Sequence, residues 1–129
     1  MPASAEEILA FLKEFKRIAS EKGVYVVSRE KNRDTGVQLG LTFKNMEEEI
    51  LSLSVTNYCD GPKEDRDRGG MIWEFGGTIG EHDIYIKLKI AEIEVSKGNV
   101  KKIAKCISFH IAEYPVEMPY SEEKRGDES

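Results

Sequence analysis

At 129 residues and 40% hydrophobic content the chain has the material for one domain with one core. Charged residues make up 33% and are mixed in sign, and a net charge of -5 argues against a non-specific nucleic-acid binder. No apolar run reaches the roughly 20 residues that span a bilayer, and Met1-Pro2-Ala3-Ser4-Ala5-Glu6-Glu7 has neither the basic start nor the apolar stretch of a secretory signal. A cytoplasmic protein without membrane contact is therefore expected.

Residues 4–21 carry the clearest helical pattern. Ile8, Leu12, Phe15, Ile18 and Ala19 recur at the spacing of one helix face, and Leu9 and Phe11 widen the stripe. Ser4 followed by Glu7 is a capping-box pair, and Gly23 is a stop. Val24-Tyr25-Val26-Val27 is a short β-branched run that predicts a strand. Residues 29–34 form a charged segment that reads as a loop. It is either a plain solvated loop or one in which Arg29 or Lys31 meets a phosphate.

Residues 39–42 lead into a second predicted helix over 44–52, with Met46, Ile50 and Leu51 on its apolar side. Tyr58-Cys59-Asp60-Gly61-Pro62 predicts a turn, and residues 63–70 a mobile polar loop. Three strands follow, over 71–76, 82–92 and 102–110, joined by glycine-bearing turns. Such short connections predict an antiparallel meander. Pro115 and Pro119 end regular structure, so a single domain over 1–118 and an acidic, disordered tail over 119–129 are expected. The fold class is α+β, two helices packed on one antiparallel sheet of about four strands.

The strand Ile84-Tyr85-Ile86-Lys87-Leu88-Lys89-Ile90 alternates strictly, which gives it one aliphatic and one basic-aromatic face. With apolar residues turned inward, Met71, Trp73 and Phe75 point to the core from the first strand, leaving Ile72 and Glu74 outside. In the last strand Ile103, Ile107 and Phe109 point inward, leaving Cys106, Ser108 and His110 outside. Neighbouring strands then place Glu74, Tyr85, Lys87 and His110 on one face, unless a bulge shifts the register.

Charge is uneven along the chain. Residues 121–129 hold Glu122, Glu123, Asp127 and Glu128 against Lys124 and Arg125, a net of -2. Residues 82–110 hold Lys87, Lys89, Lys97, Lys101, Lys102 and Lys105 against Asp83, Glu92 and Glu94, a net of +3. The predicted sheet is the basic part. Cys59 and Cys106 are isolated and read as free thiols, and no paired-ligand spacing for a metal or cofactor occurs.

Glu and His beside Tyr and Lys suit the cleavage of RNA through its own 2′-hydroxyl. That reaction needs a base, an acid, and donors or cations for the phosphorane oxygens. Trp73 and Tyr85 are candidates to stack on splayed bases, and Arg29, Lys31 and Lys89 to contact the strand. The alternative is a non-catalytic module that binds an acidic protein or ligand on the same face.

The order of segments resembles the MqsR-type toxins of bacterial type II toxin–antitoxin pairs. The matching residues are Leu39-Gly40-Leu41 before an acidic helix, Ile50-Leu51-Ser52-Leu53-Ser54, Tyr58, Ile72-Trp73, the strand from Ile84 to Ile90, and Cys106-Ile107-Ser108-Phe109-His110. The resemblance implies a RelE-like fold and a metal-independent endoribonuclease acting on messenger RNA. It also implies a cognate antitoxin of the zinc-binding, helix-turn-helix kind as partner. The family's Tyr matches Tyr85, its Gln after the Trp stands here as Glu74, and its loop Lys falls nearest to Lys63.

Overall fold

The computed structural model describes residues 2–121; the acidic end of the expected tail, from residue 122 on, lies outside the described residues. In chain order the elements are α1 (Ala5–Lys22), β1 (Val24–Val26), α2 (Glu30–Leu39), α3 (Phe43–Leu51), β2 (Tyr58–Glu64), β3 (Met71–Ile79), β4 (His82–Ser96) and β5 (Asn99–Ile111). The sheet order is β1-β5-β4-β3-β2. β1 runs parallel to β5 and every other pairing is antiparallel. The fold is thus α+β, as expected, but with three helices and a five-stranded mixed sheet.

α1 forms where its pattern predicts. The Ser4 hydroxyl accepts from the Glu7 amide and the Glu7 carboxylate from the Ser4 amide, so two otherwise orphaned donors are satisfied. The helix stops at Gly23, whose φ of 78° favours glycine. Its stripe of Ile8, Phe11, Leu12, Phe15 and Ile18 packs with Met46 and Ile50 of α3 on one face of the sheet. Each such side chain contributes roughly 1.5–3 kcal/mol on leaving water.

From the sheet, Trp73, Phe75, Ile84, Ile86, Leu88, Ala104, Cys106 and Phe109 complete this core. Trp73 stacks on Phe11, ring centroids 4.8 Å apart and planes 13° apart. That places it on the helix side and not, as one sequence expectation had it, on a base-stacking platform. Met71, expected inward, is 52% exposed at the start of β3.

Two expected irregular segments are elements. The charged run from Arg29 opens α2, whose buried residues are Asn32, Thr35 and Gly36 instead of an apolar stripe. The expected turn at Tyr58 is the start of edge strand β2, paired with β3 through two register shifts. Tyr120 stays packed on the body, its hydroxyl donating to the Ala3 carbonyl at 2.7 Å.

The most consequential departure lies in β5. Lys87 pairs with Ser108 but Leu88 with Cys106, so Ile107 is an extra residue in the ladder. This bulge switches the face each β5 residue takes. Before it Ala104 and Cys106 point into the core, which corrects the outward expectation for Cys106; after it Phe109 points inward and Ser108 and His110 outward. A buried Asn32 side chain holds the bulge. Its Nδ2 donates to the carbonyls of Val27 at 2.8 Å and Ile107 at 3.1 Å, and its Oδ1 accepts from the Phe109 amide at 2.9 Å.

Candidate functional site

Register places the functional side chains in two rows on the face opposite α1. Asp60, Glu74, Lys87 and Ser108 form one row across β2, β3, β4 and β5. Gly76, Tyr85 and His110 form the next. The four residues singled out by alternation, Glu74, Tyr85, Lys87 and His110, therefore meet, and they line one cavity of about 510 Å³.

Glu74 is the centre of its polar network. The Tyr85 hydroxyl donates to Glu74 Oε1 at 2.5 Å. Lys63 Nζ lies 2.9 Å from Glu74 Oε2 and 2.9 Å from Asp60 Oδ2. Only a tenth of the Glu74 side chain is exposed, and both of its oxygens are engaged. In this buried place its carboxylate is balanced chiefly by Lys63.

Neighbouring groups respond. Burial first, then the hydrogen bond to the Glu74 carboxylate and its charge, push the Tyr85 phenol far above its usual range. Tyr85 thus stays a neutral donor. Hydrogen bonds to Asp60 and then to Glu74 hold the Lys63 ammonium above its usual range, and Lys63 holds the Asp60 carboxyl below its own. Burial, reinforced by the charges of Glu74 and Asp60, raises the Cys59 thiol, so this cavity-lining cysteine is not an activated thiolate. Cys106 in the core is pushed up by burial to about 12.

On the open side, the Lys87 ammonium stands 5.8 Å from the centroid of the Tyr85 ring, within cation–π range. The His110 ring centroid lies 5.5 Å from that of Tyr85, the planes tilted by 49°. His110 Nδ1 is 3.0 Å from the Ile111 carbonyl oxygen. A proton on Nδ1 in that contact leaves Nε2 to exchange protons.

α2 supplies the cationic edge. Arg29, at its N-cap, donates through Nη1 to Ser108 Oγ at 2.8 Å and reaches the Ile107 carbonyl at 3.4 Å. Lys31 pairs with Glu113 at 2.5 Å across the cavity mouth. Both line the cavity, so the phosphate-contact alternative for these two residues keeps its geometric basis. The outer wall is the segment over residues 112–116, which folds back across the sheet. A Cβ on Gly76 would meet Val116 Cγ1 at 2.5 Å, so this close crossing requires glycine.

Lys63 supports Glu74 from behind and does not line the cavity. Lys89 faces the same side one row further along, but it is 4% exposed and pairs with Asp65 at 2.7 Å. Arg29 bonding to Ser108 and the Asn32 clamp had no sequence signal, since both sit in a charged run without apolar periodicity. Among the described residues no group of three or more His, Cys, Asp or Glu side chains could hold a metal ion. No helix there is long and apolar enough to cross a membrane. Compared with known protein families, curated proteins and solved structures, the chain matches none.

Proposed function

We propose that this chain is the toxin of a toxin–antitoxin pair, an endoribonuclease that cuts messenger RNA by attack of the RNA's own 2′-hydroxyl. The observation that carries this reading is the convergence of Glu74, Tyr85, Lys87 and His110 on one cavity, with Arg29 at its edge. A carboxylate, a neutral phenol, an imidazole and two cations match the base, relay, acid and charge-stabilising parts of that reaction.

The 2′-hydroxyl gives its proton to the Tyr85 oxygen while the Tyr85 proton passes to Glu74 Oε1. Tyr85 never becomes a free phenolate, consistent with its raised pKa. The freed 2′-oxygen attacks phosphorus. Lys87 and Arg29 balance the added charge on the non-bridging oxygens. The bond from phosphorus to the 5′-oxygen breaks, and the leaving oxygen takes a proton from the His110 imidazolium. The products are a 2′,3′-cyclic phosphate and a 5′-hydroxyl end. Lys63 keeps Glu74 oriented, and Lys31 extends the cationic edge once Glu113 lets go.

The resemblance to MqsR-type toxins supports the same reading and brings with it a cognate antitoxin of the zinc-binding, helix-turn-helix kind. Induced expression in a bacterium tests the proposal: growth arrest is expected from the wild type, and none from Tyr85→Phe or His110→Ala. Undiminished toxicity in both variants overturns it.

One observation favours a second reading. Both Glu74 oxygens are already bonded, which leaves Lys87 and Arg29 as the most available charges, so the face could bind an anionic partner without chemistry. Purified protein that binds RNA but leaves it uncut would support that reading.

A further inference from the structure

A second cavity, of about 650 Å³, lies on the same sheet face beyond the first. Lys87 and Lys89 are two residues apart on β4, so the cavities sit one row, about 7 Å, apart. Arg68, Lys89 and Lys105 line it. Lys89 and Lys105 are direct cross-strand partners, a like-charge pairing that costs stability in a bare sheet. Asp65 is taken by Lys89, and Glu92 at the rim pairs in register with Lys102. Among the described residues neither Arg68 nor Lys105 has a carboxylate within ion-pair distance.

We propose that this cavity is a second anion subsite, one that takes a backbone phosphate of single-stranded nucleic acid next to the strand segment held at Tyr85 and His110. Placing two lysines face to face and covering them with an arginine-bearing turn makes sense where an anion completes the set. Burial, then repulsion from Arg68 and Lys89, lowers the Lys105 pKa. Gly69 and Gly70 leave the mouth without side-chain bulk. At the rim, Tyr25 is 57% exposed and lies opposite Lys105 in the β1–β5 register. An exposed aromatic beside a cation fits an unpaired base and its phosphate better than it fits an acidic peptide. The strand's identity as substrate rests on the ribonuclease reading; the binding itself does not.

The test uses the purified full chain and a short, mixed-sequence 2′-O-methyl oligonucleotide, which lacks the attacking hydroxyl. Binding should shift the amide resonances of Gly69, Gly70 and Lys105. Lys105→Gln should lower the slope of log affinity against log salt by about 0.7, and weaken binding about fourfold at 0.15 M salt. Arg68→Gln, in an exposed turn, should act in the same direction and guards against a folding defect in the strand variant. Unmoved amides, or an unchanged salt slope in both variants, overturn the proposal. So does saturation by inorganic phosphate or by polyglutamate with no response to the oligonucleotide. If the oligonucleotide fills the cavity while cleavable RNA stays intact, the subsite stands and the ribonuclease reading falls.

Discussion

The Tyr85 hydroxyl donates to Glu74 across a diagonal of the sheet, since Glu74 pairs with Lys87 and Tyr85 with Gly76. Diagonal neighbours are within reach only of long or aromatic side chains. Gly76, opposite Tyr85, leaves room for Val116 of the crossing segment to lie close over the same row. The Tyr85–Glu74 pair joins the two rows of the face into one site.

Tyr85→Phe removes this donor and leaves Glu74 with Lys63 alone. A hydrogen bond to a charged group contributes about 1.5–3 kcal/mol, so the melting temperature should fall by several degrees while the fold persists. RNA cleavage should fall about 100- to 10,000-fold. Calorimetry and single-turnover cleavage check the two effects separately.

Tyr58 and Tyr85 both have raised phenol pKa values, each chiefly through burial. A group whose folded pKa lies above its unfolded value contributes stability that is complete below the unfolded value. For Tyr that contribution declines once the pH exceeds about 10. Absorbance titration of the folded protein should therefore show the same ionising phenols near pH 10 in wild type and in Tyr85→Phe. A smaller signal in the variant would mean that Tyr85 titrates normally.

Asp65 behaves in the opposite sense. The hydrogen bond from Lys89 holds its carboxyl below the usual range, so its contribution is present above about pH 4 and is lost as the pH falls through the lowered value. Asp65→Asn keeps an oxygen for the Asp67 and Arg68 amides but leaves Lys89 buried without its counter-charge. Melting curves at pH 6 should separate wild type from variant, and the gap should close toward pH 3.

Asn32→Ala should be the most damaging single change outside the core. It strands the Phe109 amide, a buried donor whose loss costs about 1–3 kcal/mol, and takes one of two donors from each of the Val27 and Ile107 carbonyls, which keep the Arg29 amide and guanidinium. Denaturant midpoints should drop accordingly. Hydrogen exchange at Phe109 should accelerate more than at Ile86, since the bulge and not the central strand loses its support.

Much of the site was legible because β4 states its two faces in alternation: Ile84, Ile86 and Leu88 on one, Tyr85, Lys87 and Lys89 on the other. Capping-box chemistry and periodicity likewise placed α1 to within a residue. α2 was not legible, because the residues it buries are Asn32, Thr35 and Gly36, which carry no hydrophobic period. β2 hid behind Gly61-Pro62, a pair that marks a turn in most contexts and here sits in an irregular edge strand. The Ile107 bulge follows from a clamp far away in sequence. It put Cys106 inside the core yet left His110 on the expected face, since the alternation counted from Phe109 is unbroken beyond it.

The most direct test is the chemistry of the RNA ends left by the purified protein. Wild type should cut single-stranded RNA to 5′-hydroxyl and 2′,3′-cyclic phosphate ends, with His110→Ala and Tyr85→Phe both strongly impaired. RNA that stays intact with wild type, cuts bearing 5′-phosphates, or cleavage by both variants at the wild-type rate would contradict the account.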